Sequence, residues 1–325
     1  MTHFKQIDRR IFLKGLSAGT ATLGYSVYVR AGDLPASEGN PPSVEEIRRS
    51  LDSLSPEPDP SRRFEGEPNM TLVDLETDFF IAGGGMAGVC AALAAARNGI
   101  KVVLAQDRSR LGGNASSEVR MHIVGSDHSG ARKGWREAGI LEELRLESAA
   151  WNPHSAWELW DLLLYDKLIS EPNVTLLLDS VLYAAEVEEG VIERVMVRCD
   201  KTENLYRIKA KQYADCTGDC RLAIETGAEF RWGHEARSEF NEPLAPEDPG
   251  PETLGSSILF TARDYGKPIP YKPPHWARKV TKDDLRFRSV RNWEYGYWWI
   301  EWGGEHDTIR DNERIRFELL SIVMG

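Results

Sequence analysis

A glycine-rich run that directly follows a short apolar strand constrains the fold of this 325-residue chain more than any other feature. Residues 78–82 predict a buried strand, and the next six residues, Gly83-Gly84-Gly85-Met86-Ala87-Gly88, have the G-x-G-x-x-G spacing. The small and apolar residues 86–98 predict a helix that ends at Gly99, and residues 101–105 predict a second strand. These elements fit within the ~30 residues of a βαβ unit, so the segment predicts a parallel α/β sheet with a dinucleotide at its edge.

Each glycine of this run has its own mechanical role in the predicted cradle. Gly83 permits the tight turn, Gly85 lets the backbone approach a pyrophosphate, and Gly88 lets the helix lie close to the sheet. The helix then starts at Met86 and Ala87, with its first N–H groups directed at the phosphates. We predict these five residues as dinucleotide contacts.

The end of the second strand departs from the simplest dinucleotide pattern. The acid that would bind a ribose is replaced by Gln106, which is followed by Asp107 and Arg108. Gln106 can accept a hydrogen bond from a ribose hydroxyl through its amide oxygen. Alternatively, Arg108 and Arg110 can bind a 2′-phosphate, which would make the ligand NADP. The residues alone leave both alternatives open.

Two further segments join the glycine run in a resemblance to a known family. They are residues 106–120, which contain Leu111-Gly112-Gly113, and Asp215-Cys216-Thr217-Gly218-Asp219. From about Thr77 to the C-terminus the chain resembles the FAD-dependent oxidoreductase family with the glutathione-reductase-type flavin fold. The resemblance implies FAD, with the Leu-Gly-Gly turn passing the flavin and the Thr-Gly-Asp strand closing over the dinucleotide. The additional FAD contacts that it implies are Gly112, Gly113, Asn114, Thr217, Gly218 and Asp219.

The rest of the chain predicts the remaining elements of such a fold. Apolar spacing predicts helices over residues 135–149 and 155–169, and alternation predicts strands over residues 174–178, 181–187, 191–198 and 205–210. The predicted fold class is α/β. It consists of a Rossmann-like FAD-binding domain with a β-meander (residues 71–229), plus part of a mixed α+β substrate or cap domain (residues 230–325).

Two polar residues after the Leu-Gly-Gly turn are candidates for catalysis. His122 is a candidate acid or base, and Arg120 a candidate anchor for an anionic substrate group or for negative charge on the flavin. A plainer interpretation is an alternating strand whose polar side chains satisfy backbone or phosphate groups. We interpret Cys216 and Cys220 as buried structural cysteines, because disulfide reductases of this fold carry their cysteine pair just after the Leu-Gly-Gly turn.

The C-terminal region is rich in aromatic residues. Six aromatic side chains lie between Trp293 and Trp302, where alternation predicts a strand whose one face stacks on a sugar or flavin ring or packs within a sheet. Residues 307–324 predict an amphipathic helix. Family members usually continue with a last strand and a Gly-Asp turn, and we therefore expect that the chain lacks its C-terminal part.

The first 31 residues predict an export signal. They hold five basic side chains against one acid, and Asp8-Arg9-Arg10-Ile11-Phe12-Leu13-Lys14 resembles the twin-arginine signature. Residues 32–70 predict a Pro- and charge-rich linker, interrupted by a short helix that a Ser43-x-x-Glu46 capping box opens. We expect a periplasmic or extracellular protein that contacts the export machinery and has no stable membrane insertion.

Composition excludes several classes of partner. The net charge of -11 argues against nucleic acid, and four scattered Cys residues, with no C-x2-C pair, argue against a metal site.

The sequence thus predicts an exported oxidoreductase that transfers a hydride from an organic, carbohydrate-related substrate to flavin, with an unidentified electron acceptor. The alternatives are an NADP-dependent reductase and a non-catalytic glycan-binding protein with a vestigial nucleotide cradle.

Overall fold

The structure is a computed structural model in which residues 43–52, 70–123, 136–261, 265–281, 283–284 and 297–325 are described. The predicted signal peptide lies outside these residues, as does most of the predicted linker. The strands are β1 (Thr71–Ala82), β2 (Val102–Ala105), β3 (Val174–Leu177), β4 (Val181–Glu188), β5 (Val191–Cys199), β6 (Asn204–Asp215), β7 (Ser256–Thr261) and β8 (Tyr297–Trp302). The helices are α1 (Val44–Asp52), α2 (Met86–Arg97), α3 (Ile140–Trp151), α4 (Trp157–Ile169), α5 (Arg221–Glu225), α6 (Arg237–Phe240) and α7 (Asn312–Val323).

A six-stranded sheet with the order β3-β2-β1-β6-β5-β4 forms the centre of the fold. The strands β3, β2, β1 and β6 run parallel, whereas β5 and β4 are antiparallel to their neighbours. The predicted α/β class with a β-meander is thereby confirmed. Because the carboxyl ends of β1, β2 and β6 meet at one edge, the turns that follow them are brought together.

The strand β6 corrects the predicted division of the meander. We predicted a strand over residues 205–210 and a separate later strand ending in Thr-Gly-Asp, but both are one strand, Asn204–Asp215. It pairs with β1 along its whole length, from Thr71↔Asn204 to Ala82↔Asp215. The strand β1 accordingly starts seven residues before the predicted Asp78, and its polar residues alternate at an exposed surface where Asp74 pairs with Arg207.

Apolar residues fill both faces of the large sheet. On one face, α2, α3 and α4 pack over strand residues through a cluster that contains Ile81, Leu93, Leu104, Leu144 and Leu164. On the other face, the meander and α5 pack around a second cluster: Phe80, Val103, Leu182, Val195, Val197, Ile208 and Leu222. Burial on both faces explains why the residues at the end of β1 are apolar without alternation.

Two predicted helices begin about five residues later than expected, and the helix predicted over residues 155–169 begins at Trp157. The helix α3 starts at Ile140 rather than Trp135, directly after Gly139, whose φ is +71°. The helix α7 starts at Asn312 rather than Asp307, because the Asp307 carboxylate accepts the N–H groups of Ile309 and Arg310 and forms a turn. Neither the backbone conformation of Gly139 nor the turn at Asp307 can be predicted from the spacing of apolar residues.

A two-stranded antiparallel sheet contains part of the aromatic segment. The strand β8 pairs with β7 from Ser256↔Trp302 to Thr261↔Tyr297, which confirms a strand here. The Trp302 ring lies 5.1 Å from the His306 ring, and Gly303 packs on the buried Ile315 of α7. Residues 293–296 and the side chains of residues 297–299 lie outside what the structure describes, so the predicted aromatic face stays a prediction. None of the helices among the described residues is long and apolar enough to cross a membrane.

Candidate dinucleotide-binding site

Three turns meet at the carboxyl edge of the parallel strands. The N–H of Gly83 donates to the carbonyl oxygen of Ala105 (2.8 Å), and the N–H of Gly112 donates to that of Gly84 (2.8 Å). On the other side, the N–H of Cys216 donates to the Ala82 carbonyl oxygen (2.7 Å). The glycine loop therefore lies between the Leu-Gly-Gly turn and the Thr-Gly-Asp turn.

The glycines of the loop differ in what surrounds them. A Cβ on Gly83, whose φ is +96°, would lie 2.3 Å from the Cys216 carbonyl oxygen, and one on Gly88 would lie 2.0 Å from that of Gly83. At Gly85 the only heavy atom within 4 Å of such a Cβ, among the residues that the structure describes, is the Cys216 oxygen at 3.9 Å. Gly83 and Gly88 are thus required for packing, whereas a side chain on Gly85 would face open space.

The first turn of α2 borders this space. Gly85 is its N-cap residue with extended backbone, and within the described part of the chain no side chain caps the helix. Met86 is half-buried and Ala87 is exposed at the start of the helix. Uncapped N–H groups at a helix N-terminus favour an anion, which agrees with the predicted phosphate position.

The Leu-Gly-Gly turn forms the opposite wall of the cleft. Gly112 and Gly113 have φ values of +98° and +60°, and a Cβ on Gly113 would lie 3.3 Å from the Cα of Gly85. Asn114 is exposed beside them, and its carbonyl oxygen accepts the N–H of Met121 (2.9 Å). The two glycine backbones therefore lie close together, and a side chain on Gly113 would press on the glycine loop.

Helix α4 holds this turn through two polar side chains that sequence reasoning missed. The Trp160 indole N–H donates to the Ala115 carbonyl oxygen (2.9 Å), and the Asp161 carboxylate accepts the Ser117 N–H (3.0 Å). Both side chains are buried, in a helix whose other buried residues are Leu. A Trp-Asp pair inside an apolar helix was the only available signal for this contact.

Gln106 connects the glycine loop to the Leu-Gly-Gly turn. Its amide oxygen accepts the Gly84 N–H (2.7 Å), and its amide nitrogen donates to the Arg110 carbonyl oxygen (3.0 Å). Asp107 and Arg108 follow it and are exposed. The predicted ribose contact of Gln106 stays untested, but its amide is already engaged within the protein.

The arginines of the NADP alternative each have a carboxylate nearby. Arg108 lies 3.4 Å from Glu118, and the Arg110 Nε lies 3.5 Å from the buried Asp161. A 2′-phosphate at this position would therefore compete with both carboxylates.

Asp215, which sequence reasoning quoted but did not select, organises the Thr-Gly-Asp turn. Its Oδ1 accepts the Thr217 N–H (3.0 Å) and hydroxyl (2.7 Å), and its Oδ2 accepts the Ala223 N–H (3.0 Å). Partial burial raises the pKa of Asp215, but these hydrogen bonds and one from Leu222 have the larger, opposite effect. The pKa of Asp215 is therefore below its ordinary value. Gly218 has a φ of +90°, and Asp219 is exposed at the rim.

The cysteines are only partly as predicted. Cys216 is half-buried, and burial together with the Asp215 charge raises the pKa of its thiol. Cys220 is exposed, so its prediction as a buried residue was wrong, because it is the left-handed N-cap residue of the short helix α5. Both thiols are free, and among the described residues no group of three or more His, Cys, Asp or Glu is placed to hold a metal.

The two predicted catalytic side chains lie against the first turn of α4. The His122 ring lies tilted by 32° against the Trp157 ring, with 6.2 Å between centroids, and the Arg120 guanidinium lies 3.3 Å from Glu158. The plainer interpretation of this segment as a strand was wrong, because it forms turns and Arg120 has a φ of +62°. A catalytic role for either residue stays a prediction.

The sequence matches one family model over most of its length. Residues 78–322 match the model described as FAD dependent oxidoreductase. The chain belongs to this family. FAD is therefore its cofactor.

Three of the solved structures that are similar to this family member are compared with it. L-proline dehydrogenase from P. horikoshii is 17% identical, covers 48% of this chain and 25% of its own, and has a TM-score of 0.29. p-Nitrophenol 4-monooxygenase PnpA from Pseudomonas putida DLL-E4 is 14% identical and has a TM-score of 0.35. The match covers 50% of this chain and 46% of the monooxygenase. THI4 of Thermovibrio ammonificans is 18% identical, covers 54% and 76%, and has a TM-score of 0.33. The chain thus spans less than half of the first two structures, and no curated protein matches it significantly.

Proposed function

We propose that this chain is an exported FAD-dependent oxidoreductase in which an organic substrate gives a hydride to the flavin. The single observation that carries the proposal is the open space over Gly85, where a Cβ would meet only one atom at 3.9 Å within the described part of the chain. The Cys216 carbonyl oxygen borders this space, and the backbone of Gly113 lies beside Gly85. Such backbone groups can approach a diphosphate closely without side-chain obstruction.

The residues of the cleft would bind and orient the cofactor. The uncapped start of α2 would hold the diphosphate, and the Leu-Gly-Gly turn would lie along the flavin side. The chemistry that bound FAD would supply at this cleft is the acceptance of two electrons as a hydride. Arg120 would hold an anionic substrate group, and His122 would move a proton at an imidazole nitrogen. The glutathione-reductase-type arrangement of these parts belongs to the proposal as well.

Export is proposed from the N-terminal sequence alone. The Asp8-Arg9-Arg10-Ile11-Phe12-Leu13-Lys14 segment supports twin-arginine export, which carries folded proteins together with a bound cofactor. Replacing both Arg9 and Arg10 by Lys should leave the chain in the cytoplasm when fractions of the expressing cells are compared. Unchanged export of this variant would contradict the twin-arginine route.

The substrate class rests on the aromatic segment between Trp293 and Trp302, which supports a carbohydrate-related molecule. Reduction of the bound flavin by a panel of sugars and related alcohols, followed as loss of the yellow absorbance, would identify it. If no member of the panel reduces the flavin and glycans bind equally well to Gly85→Trp, a non-catalytic glycan-binding protein is the better description.

Titration of the purified full chain with FAD and NADP tests the cofactor assignment directly. We expect FAD to bind stoichiometrically with a flavin spectrum shifted by the protein, and NADP to bind at least about 100-fold more weakly, a difference of about 2.7 kcal/mol. Preferential NADP binding that is lost in Arg108→Ala would favour the nicotinamide alternative. A chain that binds neither nucleotide would overturn the proposal.

A further inference from the structure

Gln106 is a buried polar side chain at the proposed FAD cleft, and both ends of its amide form hydrogen bonds within the protein. It follows the last residue of β2 and is only 4% exposed. Its amide oxygen accepts the Gly84 N–H at 2.7 Å, and its amide nitrogen donates to the Arg110 carbonyl oxygen at 3.0 Å. One side chain thus connects the glycine loop with the segment that leads into the Leu-Gly-Gly turn.

The backbone N–H and carbonyl oxygen of Gln106 also form hydrogen bonds within the protein. Its N–H donates to the Leu177 carbonyl oxygen (2.8 Å), and its carbonyl oxygen accepts the Ser180 N–H (2.8 Å). Both partners belong to the end of β3 and the turn that follows it. Three segments of the site edge are therefore held by four hydrogen bonds to a single residue.

Packing around Gly84 adds to this connection. A Cβ on Gly84 would lie 2.7 Å from the Leu111 side chain and 3.0 Å from the Gln106 Cβ. The glycine loop thus rests directly on Gln106 and on the Leu-Gly-Gly turn. A shift of the Gln106 side chain would move Gly84 and, with it, the neighbouring Gly85 at the open space.

We propose that Gln106 is a positioning residue that sets the separation of the glycine loop and the Leu-Gly-Gly turn, and that it is not a ribose ligand. The proposal rests on the proposed function, because the cleft that Gln106 shapes is the FAD cleft. Only a primary amide of this length supplies the required acceptor for one loop and donor for the other. Burial leaves this amide with little surface for a ribose hydroxyl.

Substitution by Glu separates the two roles. An ionised carboxylate accepts hydrogen bonds only, so it would keep the Gly84 contact but would face the Arg110 carbonyl oxygen without a donor. A protonated carboxyl of the same shape supplies both an acceptor and an O–H donor. The Gln106→Glu variant should therefore regain the wild-type arrangement as the pH falls. A ribose ligand requires the opposite, because a carboxylate is the better ribose acceptor at neutral pH.

FAD affinity of the full chain is the first measurement. By quenching of flavin fluorescence, we expect Gln106→Glu to bind FAD about tenfold more weakly than wild type at about pH 8, equivalent to one lost hydrogen bond. At about pH 5, where a buried carboxyl is largely protonated, the difference should shrink to about threefold or less. Gln106→Met, which has neither hydrogen bond, should bind weakly at both pH values. Gln212→Glu, the same change at an exposed position of β6, should resemble wild type throughout.

Thermal unfolding of the FAD-free chain is the second measurement, and it needs no cofactor. The introduced carboxyl is buried, so its pKa in the folded state lies above that in the unfolded state, and the variant loses stability as the pH rises between them. We expect its midpoint to fall below wild type at about pH 8 and to approach wild type at about pH 5.

Together, FAD affinity and thermal unfolding distinguish a positioning role of Gln106 from a ribose contact and from a purely structural role. Tighter or equal FAD binding by Gln106→Glu at about pH 8 would overturn the proposal in favour of a ribose contact. A pH-dependent loss of stability in Gln106→Glu without any change in FAD affinity would mean that Gln106 stabilises the fold but does not shape the FAD cleft. That result would also overturn the proposal. If wild type binds no FAD, the proposed function fails, while unfolding of the FAD-free variants still decides whether Gln106 holds the two loops.

Discussion

The guanidinium of Arg48 forms a two-point ion pair with the carboxylate of Glu318, and so connects α1 with α7 across 270 residues of sequence. The Nη2 and Oε2 atoms are 3.0 Å apart, and the Glu318 side chain is 7% exposed. The helix α1 was predicted as a short helix within a linker. Its ion pair shows that this helix is a packed part of the C-terminal region.

Removal of Arg48 should destabilise the chain. We expect Arg48→Met to lower the free energy of unfolding by about 2 kcal/mol, because it leaves a buried carboxylate without its partner; the partial exposure of Arg48 keeps the loss below that of a fully buried pair. Urea unfolding measures this change. The neighbouring exposed Arg49→Met is the matched control, and the double variant Arg48→Met/Glu318→Leu should recover most of the loss. Equal effects of Arg48→Met and Arg49→Met would show that the ion pair contributes nothing.

Alanine at Gly88 and at Gly85 should have opposite consequences. A methyl at Gly88 would lie 2.0 Å from the Gly83 carbonyl oxygen, so Gly88→Ala should destabilise the FAD-free chain by about 3 kcal/mol. A methyl at Gly85 meets open space at a φ of -65°, so Gly85→Ala should keep its stability within about 1 kcal/mol.

FAD binding should reverse the order of these two variants. Gly85→Ala places a methyl where the diphosphate is proposed to lie, and we expect its FAD dissociation constant to rise at least tenfold, about 1.4 kcal/mol. Urea unfolding without FAD and titration with FAD give the two numbers for each variant. Wild-type FAD affinity in Gly85→Ala would place the diphosphate elsewhere.

The contact between α4 and the Leu-Gly-Gly turn gives a third prediction. Asp161→Asn keeps an oxygen that can accept the Ser117 N–H, whereas Asp161→Leu leaves that N–H without an acceptor. We expect Asp161→Leu to cost about 2 kcal/mol more stability than Asp161→Asn, the cost of a buried donor without a partner. Both free energies come from urea unfolding. If Asn and Leu are equally destabilising, the effect of the substitution lies in the Arg110 contact and not in the Ser117 hydrogen bond.

The local part of the cradle was predictable because its signals lie within one βαβ unit. Gly83, Gly88 and Gly99 are each required by a turn or a close approach that involves neighbouring elements, and the structure has them in those conformations. Trp160 and Asp161 were missed because their hydrogen bonds reach partners 45 and 44 residues away, which no local pattern encodes.

The continuity of β6 was missed for a related reason. Its residues alternate in polarity over the first half only, and β5 pairs with that half alone, whereas the second half pairs only with the buried end of β1. Alternation therefore predicted a strand that stopped at Ala210. The pairing with β1, which spans both halves, is a property of the sheet and is not visible along the strand itself.

The last prediction concerns pH and Asp215. Hydrogen bonds from Thr217 and from the first turns of α5 lower the pKa of Asp215 in the folded chain below its ordinary value of 3.8, despite the opposing effect of burial. A carboxyl with a lowered folded pKa stabilises the fold at pH values above its unfolded pKa, and this contribution disappears as the pH falls through the folded pKa.

Asp215→Asn should therefore be less stable than wild type at neutral pH and nearly equal to it in strong acid. Its amide keeps an acceptor for Thr217 but turns an N–H group toward the Ala223 N–H, which costs about 1 kcal/mol at this partly exposed site. Urea unfolding at about pH 7 and at about pH 3 should show the difference narrowing in acid. The exposed Asp219→Asn is the matched control in the same turn, and we expect no comparable difference for it at either pH. A difference between Asp215→Asn and wild type that is constant over this pH range would mean that the charge of Asp215 does not stabilise the Thr-Gly-Asp turn, and that only the shape of its side chain matters there.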